Sequence, residues 1–337
     1  MMKKRMLRGI LLLLAAALTL LSGGACQKQS QEGLDRVVLA LDWTPNTNHS
    51  GLFLASDLGY YREENIEIVF RESDMDFIEM VAGGSAAFGL AAQEQVLQAR
   101  ASAASVPVVA LAAVLAHNTS GFASPVDRGI LSPADFQGMT YSGWGTEMEL
   151  AIIDALMKKQ GADFSQVKLI NQSAGNFIAS MELEADFAWI YYGWDGVNCQ
   201  LASYLINYIP LTDMEPDLDF YSPVLITNEE TIRDKPDLIR RFLRATAKGY
   251  AQAMAHPDQA VASLLKATPG LDPDLLLASQ LYLNDHYLGD SPYWGAIDPG
   301  RWNNFARWME ERGLLDRPID PADAFTTDYL PRGGEGH

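Results

Sequence analysis

From Arg36 onwards, short apolar runs alternate with segments whose apolar residues have helical spacing, and this alternation limits the possible folds more than any other feature. Residues 37–41 and 66–70 are typical of strands, and residues 51–58 between them are typical of a helix. Residues 106–115 are continuously apolar, as in the central strand of a covered sheet. The alternation predicts a mostly parallel sheet flanked by helices.

A second unit of the same kind begins near Gly121. Strands predicted over residues 205–210 and 221–226 return the chain to the first unit, and the remainder is mainly helical. The sequence therefore predicts an α/β fold of two lobes joined by two crossovers, each lobe a mostly parallel sheet flanked by helices. We expect residues 35–117 and 226–337 in lobe 1, and residues 118–225 in lobe 2.

The N-terminal segment has the pattern of a secretory signal peptide. Basic residues precede an apolar run over residues 9–21, and small residues follow it. Residues 1–25 are predicted as the signal and residues 26–34 as a polar tether, with Cys26 at the position that bacteria lipidate. The alternative is ordinary cleavage that leaves Cys26 as a thiol. We expect an extracytoplasmic protein, anchored to the bacterial cell membrane by a lipid at Cys26.

The charge and the cysteine count exclude two classes of protein. The formal net charge is −18, which argues against nucleic acid as a partner because nucleic-acid binding depends on neutralising phosphates. Cys199 is the only cysteine besides Cys26, so a lipidated Cys26 leaves no disulfide framework. A chain of this length without disulfides needs a large apolar core, and it exceeds what a single core usually supports.

Three predicted loops at strand ends share a composition of aromatic, glycine, and carboxylate or amide residues. The candidate ligand-binding residues in these loops are Asp42, Trp43, Asn46, His49, Gly143, Trp144, Thr146, Glu149, Tyr191, Trp194 and Asp195. Aromatic side chains offer flat faces for stacking, while amides and carboxylates offer directional hydrogen bonds. The composition predicts a small, planar, nitrogen-rich heterocycle as the ligand.

Two alternatives stay open at these loops. Trp194 fits core packing and ligand contact equally well, whereas Trp189, inside an apolar strand, is better explained by the core. His49 fits two roles equally, as a ligand contact or as a cap of the following helix.

The sequence offers little support for catalysis. The five histidines lack the spacing of metal ligands, and no nucleophile elbow, dinucleotide-binding motif or P-loop is present. We therefore predict no catalytic residue, no metal and no cofactor.

The same loops resemble those of the NMT1/THI5-like family. The run Leu-Asp-Trp-Thr-Pro-Asn-Thr-Asn-His over residues 41–49 is the most specific part, and residues 51–59, 143–146 and 324–330 extend it. The resemblance implies a two-lobed periplasmic-binding-protein fold of type II with the ligand between the lobes. A bacterial branch of the family binds formylaminopyrimidine as the lipid-anchored component of an ABC importer, and a sister branch binds riboflavin. The eukaryotic branch makes a thiamin pyrimidine from pyridoxal phosphate and histidine.

The resemblance also implies roles for individual residues. Trp43 and Asn46 would contact the pyrimidine, Tyr191 would stack on it, and Asp195 would hold its amino edge. Asp195 stands where the pyrimidine binders use glutamate, and Glu147 stands where the family often has proline.

The synthase branch loses its own reactive residues in this chain. Its catalytic lysine falls on Ala91 and its active-site histidine on Gln95, and its cysteine-rich motif has no counterpart. We therefore expect a monomeric binding protein, not an enzyme. Its two lobes would close on the ligand, with hinges at residues 116–121 and 221–225. It would present a pyrimidine thiamin precursor to an ABC permease with its ATPase. The alternatives are riboflavin or another planar heterocycle as the ligand and, less favoured, pyrimidine synthesis.

Overall fold

The computed structural model describes residues 33–72, 76–171 and 176–331. The predicted signal peptide, Cys26 and most of the predicted tether lie outside the described residues. In the described ranges, no helix combines the length and the apolar character that crossing a membrane requires.

The described strands form two five-stranded sheets. In chain order the strands are β1 (Asp35–Ala40), β2 (Ile66–Arg71), β3 (Phe88–Ala91), β4 (Val108–Ala113), β5 (Ser120–Pro125), β6 (Thr140–Gly143), β7 (Lys168–Asn171), β8 (Phe187–Tyr191), β9 (Ile206–Pro210) and β10 (Val224–Asn228). The first sheet has the order β2-β1-β3-β10-β4, and the second has the order β7-β6-β8-β5-β9.

The described helices flank these sheets. They are α1 (Ser50–Asp57), α2 (Tyr60–Glu63), α3 (Phe77–Ala82), α4 (Gln93–Ala101), α5 (Glu147–Lys159), α6 (Phe177–Leu183), α7 (Val197–Leu201), α8 (Leu211–Met214), α9 (Glu229–Asp234), α10 (Pro236–Ala255), α11 (Pro257–Ala267), α12 (Pro273–Leu288) and α13 (Pro299–Glu310). Side chains of β1 alternate between two cores, because successive residues of a strand point to opposite faces. Val37 and Leu39 pack in one core cluster and Ala40 in the other.

Each sheet is mostly parallel, as predicted, but one strand in each runs the other way. In the first sheet β10 is antiparallel to both β3 and β4, and in the second sheet β5 is antiparallel to both β8 and β9. These are the strands that follow a passage from one sheet to the other. A chain that arrives from the carboxyl ends of its neighbours starts the new strand at that edge, so this strand runs opposite to them.

Most predicted elements are confirmed to within a few residues, and the differences occur where the chain leaves a sheet. The apolar run over residues 106–115 is longer than β4, since Val114 bonds to the carbonyl of Pro223 instead of continuing the strand. The strand predicted over residues 221–226 begins only at Val224, so the first sheet includes two residues expected in lobe 2. The glycine-rich segment Tyr192–Gly196 is a π-helical turn, which composition does not predict.

A charged cluster joins the two connections between the sheets. His117, in the first connection, lies 2.7 Å from an Asp219 oxygen in the second, and its other ring nitrogen lies 2.8 Å from Asp290. Arg301 of α13 approaches the same Asp219 oxygen at 2.7 Å. The hydrogen bond with Asp219, more than any other partner, raises the pKa of His117 above its ordinary value. The cluster therefore links both connections to helix α13.

We expect the contribution of His117 to stability to depend on pH. Because its folded pKa is raised, the contribution is complete below the unfolded pKa, about 6.5, and is lost as the pH rises through the folded pKa. Urea unfolding at pH 5.5 and 8.5 should show His117→Gln costing about 0.5 kcal/mol more at the lower pH, a small value because the histidine is partly exposed. In an Asp219→Asn background this difference should become smaller, because only the bond to Asp290 then raises the pKa of His117. An equal cost of His117→Gln at both pH values in the wild-type background would contradict the expectation.

Candidate ligand-binding site

The three predicted loops meet where strands of both sheets end. Between the first and the third of these loops lies a recess with a cavity volume of about 20 Å³. Its lining residues are Asn46, Thr47, Asn48, Thr119, Tyr191, Gly193, Trp194 and Leu283. Three of the predicted residues, Asn46, Tyr191 and Trp194, are therefore together in one recess. The other predicted residues stand around the recess or support the loops of the site.

The loop after β1 is held by His49, which lies behind the recess. His49 is completely buried, and its Nδ1 accepts a hydrogen bond from the backbone N–H of Asn46 at 3.2 Å. Since Nδ1 is an acceptor, Nε2 carries the proton and donates it to Asp42, 2.8 Å away. Both ring nitrogens are thus occupied within the loop. Of the two roles open for His49, the structure favours bracing the start of the helical segment.

Asn46 begins the short 3₁₀ helix Thr47–His49. Its Oδ1 accepts from the backbone N–H of Asn48 at 2.9 Å, and its Nδ2 donates to the carbonyl of Thr44 at 3.0 Å. The side chain shapes the loop as an N-cap does, while its partly exposed amide lines the recess.

Trp43 and Trp144 belong to different sheets and meet at the edge of the site. Their ring centroids are 6.5 Å apart in an edge-to-face arrangement. Trp43 is 47% exposed and Trp144 is 42% exposed, far more than tryptophans of a core. Exposed aromatic rings at strand ends provide surfaces on which a flat ligand can stack.

Glu149 closes the turn before α5 instead of facing the recess. Its carboxylate is 5% exposed. One oxygen accepts from the Tyr141 hydroxyl at 2.8 Å and from the backbone N–H of Trp144 at 3.2 Å, and the other accepts from the N–H and hydroxyl of Thr146. The close approach explains Gly143, because a Cβ there would lie 2.6 Å from the carboxylate. Thr146, Gly143 and Glu149 therefore fix the turn that presents Trp144.

Tyr191 stands at the centre of the site among carboxylates from both sheets. Burial, followed by the negative charges of Glu94, Asp42 and Glu149, raises the pKa of its hydroxyl above the ordinary range. The hydroxyl lies 3.4 Å from the Ser222 hydroxyl, in the second connection. A neutral phenol surrounded by acids creates a polar region that favours hydrogen-bond donors and positive charge on a ligand.

Asp195 lies beside the recess but does not line it. Burial raises the pKa of Asp195 to about 6, opposed by hydrogen bonds from the backbone N–H groups of Tyr191 and of Asp195 itself. Its charge also helps to raise the pKa of Cys199, a buried free thiol, although burial of the thiol is the larger cause. Trp189, as expected, is a core residue, 6% exposed and packed on Phe122.

Several lining residues had no signal in the sequence. Leu283 comes from α12, more than two hundred residues after the first loop, and Thr119 comes from a connection between the sheets. A chain of buried hydroxyls joins the two sides: Thr47 lies 2.6 Å from Ser279, and Ser279 donates to the carbonyl of Gly193. Only the packing of α12 against both sheets' loops makes these contacts, so spacing in the sequence does not reveal them.

The comparisons with known proteins agree with this geometry. The family model described as NMT1/THI5 like matches residues 46–260, which is well over half of the chain. The chain belongs to the NMT1/THI5-like family. The NMT1/THI5-like match includes the 3₁₀ segment after β1, the turn before α5 and the end of β8, whereas Leu283 of the recess lies beyond it.

Known proteins named for different functions are similar to this chain over most of its length. A formylaminopyrimidine-binding protein of Halalkalibacterium halodurans is 27% identical over 336 residues, covering 94% of this chain and 98% of that protein. The riboflavin-binding protein RibY of Chloroflexus aurantiacus is 26% identical and covers 90% of this chain and 88% of its own. A 4-amino-5-hydroxymethyl-2-methylpyrimidine phosphate synthase of Legionella pneumophila is also 26% identical, covering 88% of this chain and 92% of its own.

Solved structures establish the fold of this NMT1/THI5-like chain. The periplasmic aliphatic sulphonate binding protein SsuA of Escherichia coli superposes with a TM-score of 0.68 at 15% identity, covering 90% of this chain and 96% of that one. The predicted fold class, the two-lobed periplasmic-binding-protein architecture, is confirmed. At this identity the likeness shows the fold alone, and the ligand has to be argued from the site.

Proposed function

We propose that this protein is the extracytoplasmic solute-binding component of an ABC importer and binds a pyrimidine thiamin precursor of the formylaminopyrimidine or hydroxymethylpyrimidine type. The observation that carries the proposal is the recess between the carboxyl ends of two sheets, with Asn46, Tyr191 and Trp194 on its walls. The similarity to a formylaminopyrimidine-binding protein over 94% of the chain supports this ligand.

The proposal includes a closing motion of two lobes. Residues 35–117 and 226–337 would move against residues 118–225, with the hinges in the two connections. The direct contact of Trp43 with Trp144 supports this, because it joins residues of both proposed lobes at the cleft edge. The protein would act as a monomer, and its closed form would present the ligand to a permease with its ATPase. A lipid at Cys26 would keep the protein at the membrane.

The positions that the resemblance assigns to synthase chemistry support binding without catalysis. Ala91 is completely buried at the end of β3 and carries no reactive group. The Gln95 side chain accepts a hydrogen bond from the backbone N–H of Ala92 at 2.8 Å, so it caps its own helix. Riboflavin remains the second candidate ligand, since the exposed Trp43 and Trp144 pair offers an apolar edge for a larger flat ring.

A thermal-shift panel of formylaminopyrimidine, 4-amino-5-hydroxymethyl-2-methylpyrimidine and riboflavin tests the function. A ligand at a hundredfold excess over its dissociation constant should stabilise the protein by about 2.7 kcal/mol. Tyr191→Ala should weaken binding of the active compound by about tenfold or more, because the central aromatic surface is lost.

Tyr60→Ala is the matched control, as Tyr60 is a partly exposed tyrosine that contacts Lys248 and does not line the recess. It should bind normally. Stabilisation by riboflavin alone would transfer the proposal to the flavin, and stabilisation by none of the three compounds would overturn it.

A further inference from the structure

Glu94 lies at the edge of the first sheet that borders the candidate ligand-binding site. β3 ends at Ala91, and Glu94 is the second residue of α4, which begins immediately afterwards. Because β1 and β3 are parallel neighbours, their carboxyl ends lie at the same edge of the sheet. Glu94 therefore lies at the same end of the strands as the loop that contains Asp42.

The carboxyl group of Glu94 lacks the partners that its neighbours have. Gln93 donates to the carbonyl of Trp302 and accepts from the backbone N–H of Tyr221, and Gln95 caps the helix. In the described part of the chain, the buried Oε2 oxygen of Glu94 has no hydrogen-bond partner. A buried carboxylate oxygen without a partner is costly, so native proteins rarely keep one without a reason.

Glu94 lies close enough to Tyr191 for its charge to act on the hydroxyl of that residue. Its charge is the largest contribution, after burial, to the raised pKa of Tyr191, which belongs to the second sheet and lines the recess. Asp42 and Glu149 act on the same tyrosine, but Asp42 is bonded to His49 and Glu149 is saturated within its turn. In the described residues, Glu94 is the one of these three acids that has a buried oxygen without a hydrogen-bond partner.

We propose that Glu94 contacts the bound ligand and accepts a hydrogen bond from an exocyclic amino group on its ring. This rests on the proposed binding function and sharpens its ligand class to amino-substituted heterocycles. The resemblance assigns this contact to Asp195; we assign it to Glu94, whose Oε2 is buried and has no hydrogen-bond partner in the described residues.

The protonation state of Glu94 adds a measurable consequence. Burial raises the pKa of the Glu94 carboxyl to about 7, against an opposing hydrogen bond from its own backbone N–H. Tyr191 is the titratable group that its charge affects, and it is neutral in this pH range. A hydrogen bond donated by an amino group is stronger to the ionised carboxylate than to the protonated acid, so ligand binding should release a proton below about pH 7.

The test compares 4-amino-5-hydroxymethyl-2-methylpyrimidine with its analogue that carries hydrogen in place of the amino group. Calorimetry at pH 8 should show the wild-type protein preferring the amino compound by about 10- to 100-fold, the range of a hydrogen bond to a charged group. Glu94→Gln should reduce the preference to within about threefold, whereas Asp195→Asn and the exposed control Glu230→Gln should retain it. A full preference in Glu94→Gln overturns the proposal.

Two further readouts separate a ligand contact from a structural role. Between pH 8 and 6 the ratio of wild-type to Glu94→Gln affinity for the amino compound should fall, as Glu94 takes up its proton. Without ligand, Glu94→Gln should melt at the wild-type temperature or higher, because it removes an unpaired buried charge. A lower melting temperature together with an unchanged affinity ratio would mark Glu94 as structural and overturn the proposal.

Failure of the proposed function can be distinguished from failure of the Glu94 contact. If neither pyrimidine stabilises the wild-type protein, the function proposed above fails, and adenine and cytosine, which also carry exocyclic amino groups, then decide the role of Glu94. Stabilisation by either compound that is lost in Glu94→Gln supports the contact. No stabilisation by any of these amino compounds overturns it as well.

Discussion

Glu149→Gln is expected to lower the free energy of unfolding by about 2–4 kcal/mol and to weaken ligand binding by at least about tenfold. The glutamine keeps the size of the side chain but replaces one acceptor oxygen with an NH₂ group. That group then faces N–H and O–H donors of Tyr141, Trp144 or Thr146, all of which now donate to the carboxylate. Buried donors left without an acceptor carry the full desolvation cost.

The loss of binding should follow from the shape of the turn. The backbone N–H of Trp144 is bonded to the Glu149 carboxylate, so the turn that presents this tryptophan depends on it. Chemical denaturation and ligand titration measure the two effects. Glu147→Gln is the matched control, since Glu147 is an exposed acid in the same first turn of α5. It should cost no more than about 0.5 kcal/mol and leave binding unchanged; equal losses in both variants would show that the helix dipole, not the turn, matters.

Gly51→Ala is expected to destabilise the protein by about 3 kcal/mol. Its new Cβ would lie 2.5 Å from Cδ2 of the Tyr250 ring, in the crossing of α1 with α10. The ring cannot move aside easily, because it stacks on Trp294 at a centroid distance of 4.4 Å and its hydroxyl donates to the Asn48 carbonyl at 2.6 Å. Overpacking against a fixed aromatic ring strains both helices.

The same substitution should also weaken ligand binding, because the Tyr250 hydroxyl holds Asn48, which lines the recess. Gly270→Ala is the control: a Cβ there meets no atom within 4 Å, and the change should stay within about 0.5 kcal/mol of wild type. Urea denaturation and ligand titration of both variants measure the effects. A stable Gly51→Ala protein with normal affinity would show that Tyr250 repacks without disturbing Asn48.

Local patterns predicted most of the fold. Apolar alternation located β1 and β2, and proline at a helix start located α10 and α11, whose first residues are Pro236 and Pro257. These signals work because strand faces, caps and helix starts depend on neighbouring residues. The antiparallel β5 and β10 were not predicted, since the direction of a strand depends on which edge the chain enters from.

The candidate site was predicted as a set of loops but not residue by residue. The composition of the loops correctly predicted that Asn46, Tyr191 and Trp194 lie together, and the structure places them in one recess. His49 and Glu149 instead support the loops through internal hydrogen bonds. Loop composition does not tell which polar side chains bond to their own backbone. Glu94 went unnoticed because nothing in its local sequence shows that its oxygen is buried and unpaired.

The turn before α5 separates the residues that hold its shape from the residue that it displays. Gly143, Thr146 and Glu149 fix the backbone by internal hydrogen bonds, and the Trp144 side chain projects from it without taking part. A substitution at position 144 therefore changes the cleft surface and leaves the frame intact. Residue 144 can therefore vary without loss of the hydrogen bonds that fold the turn, and the surface of the proposed cleft is open to change by single substitutions.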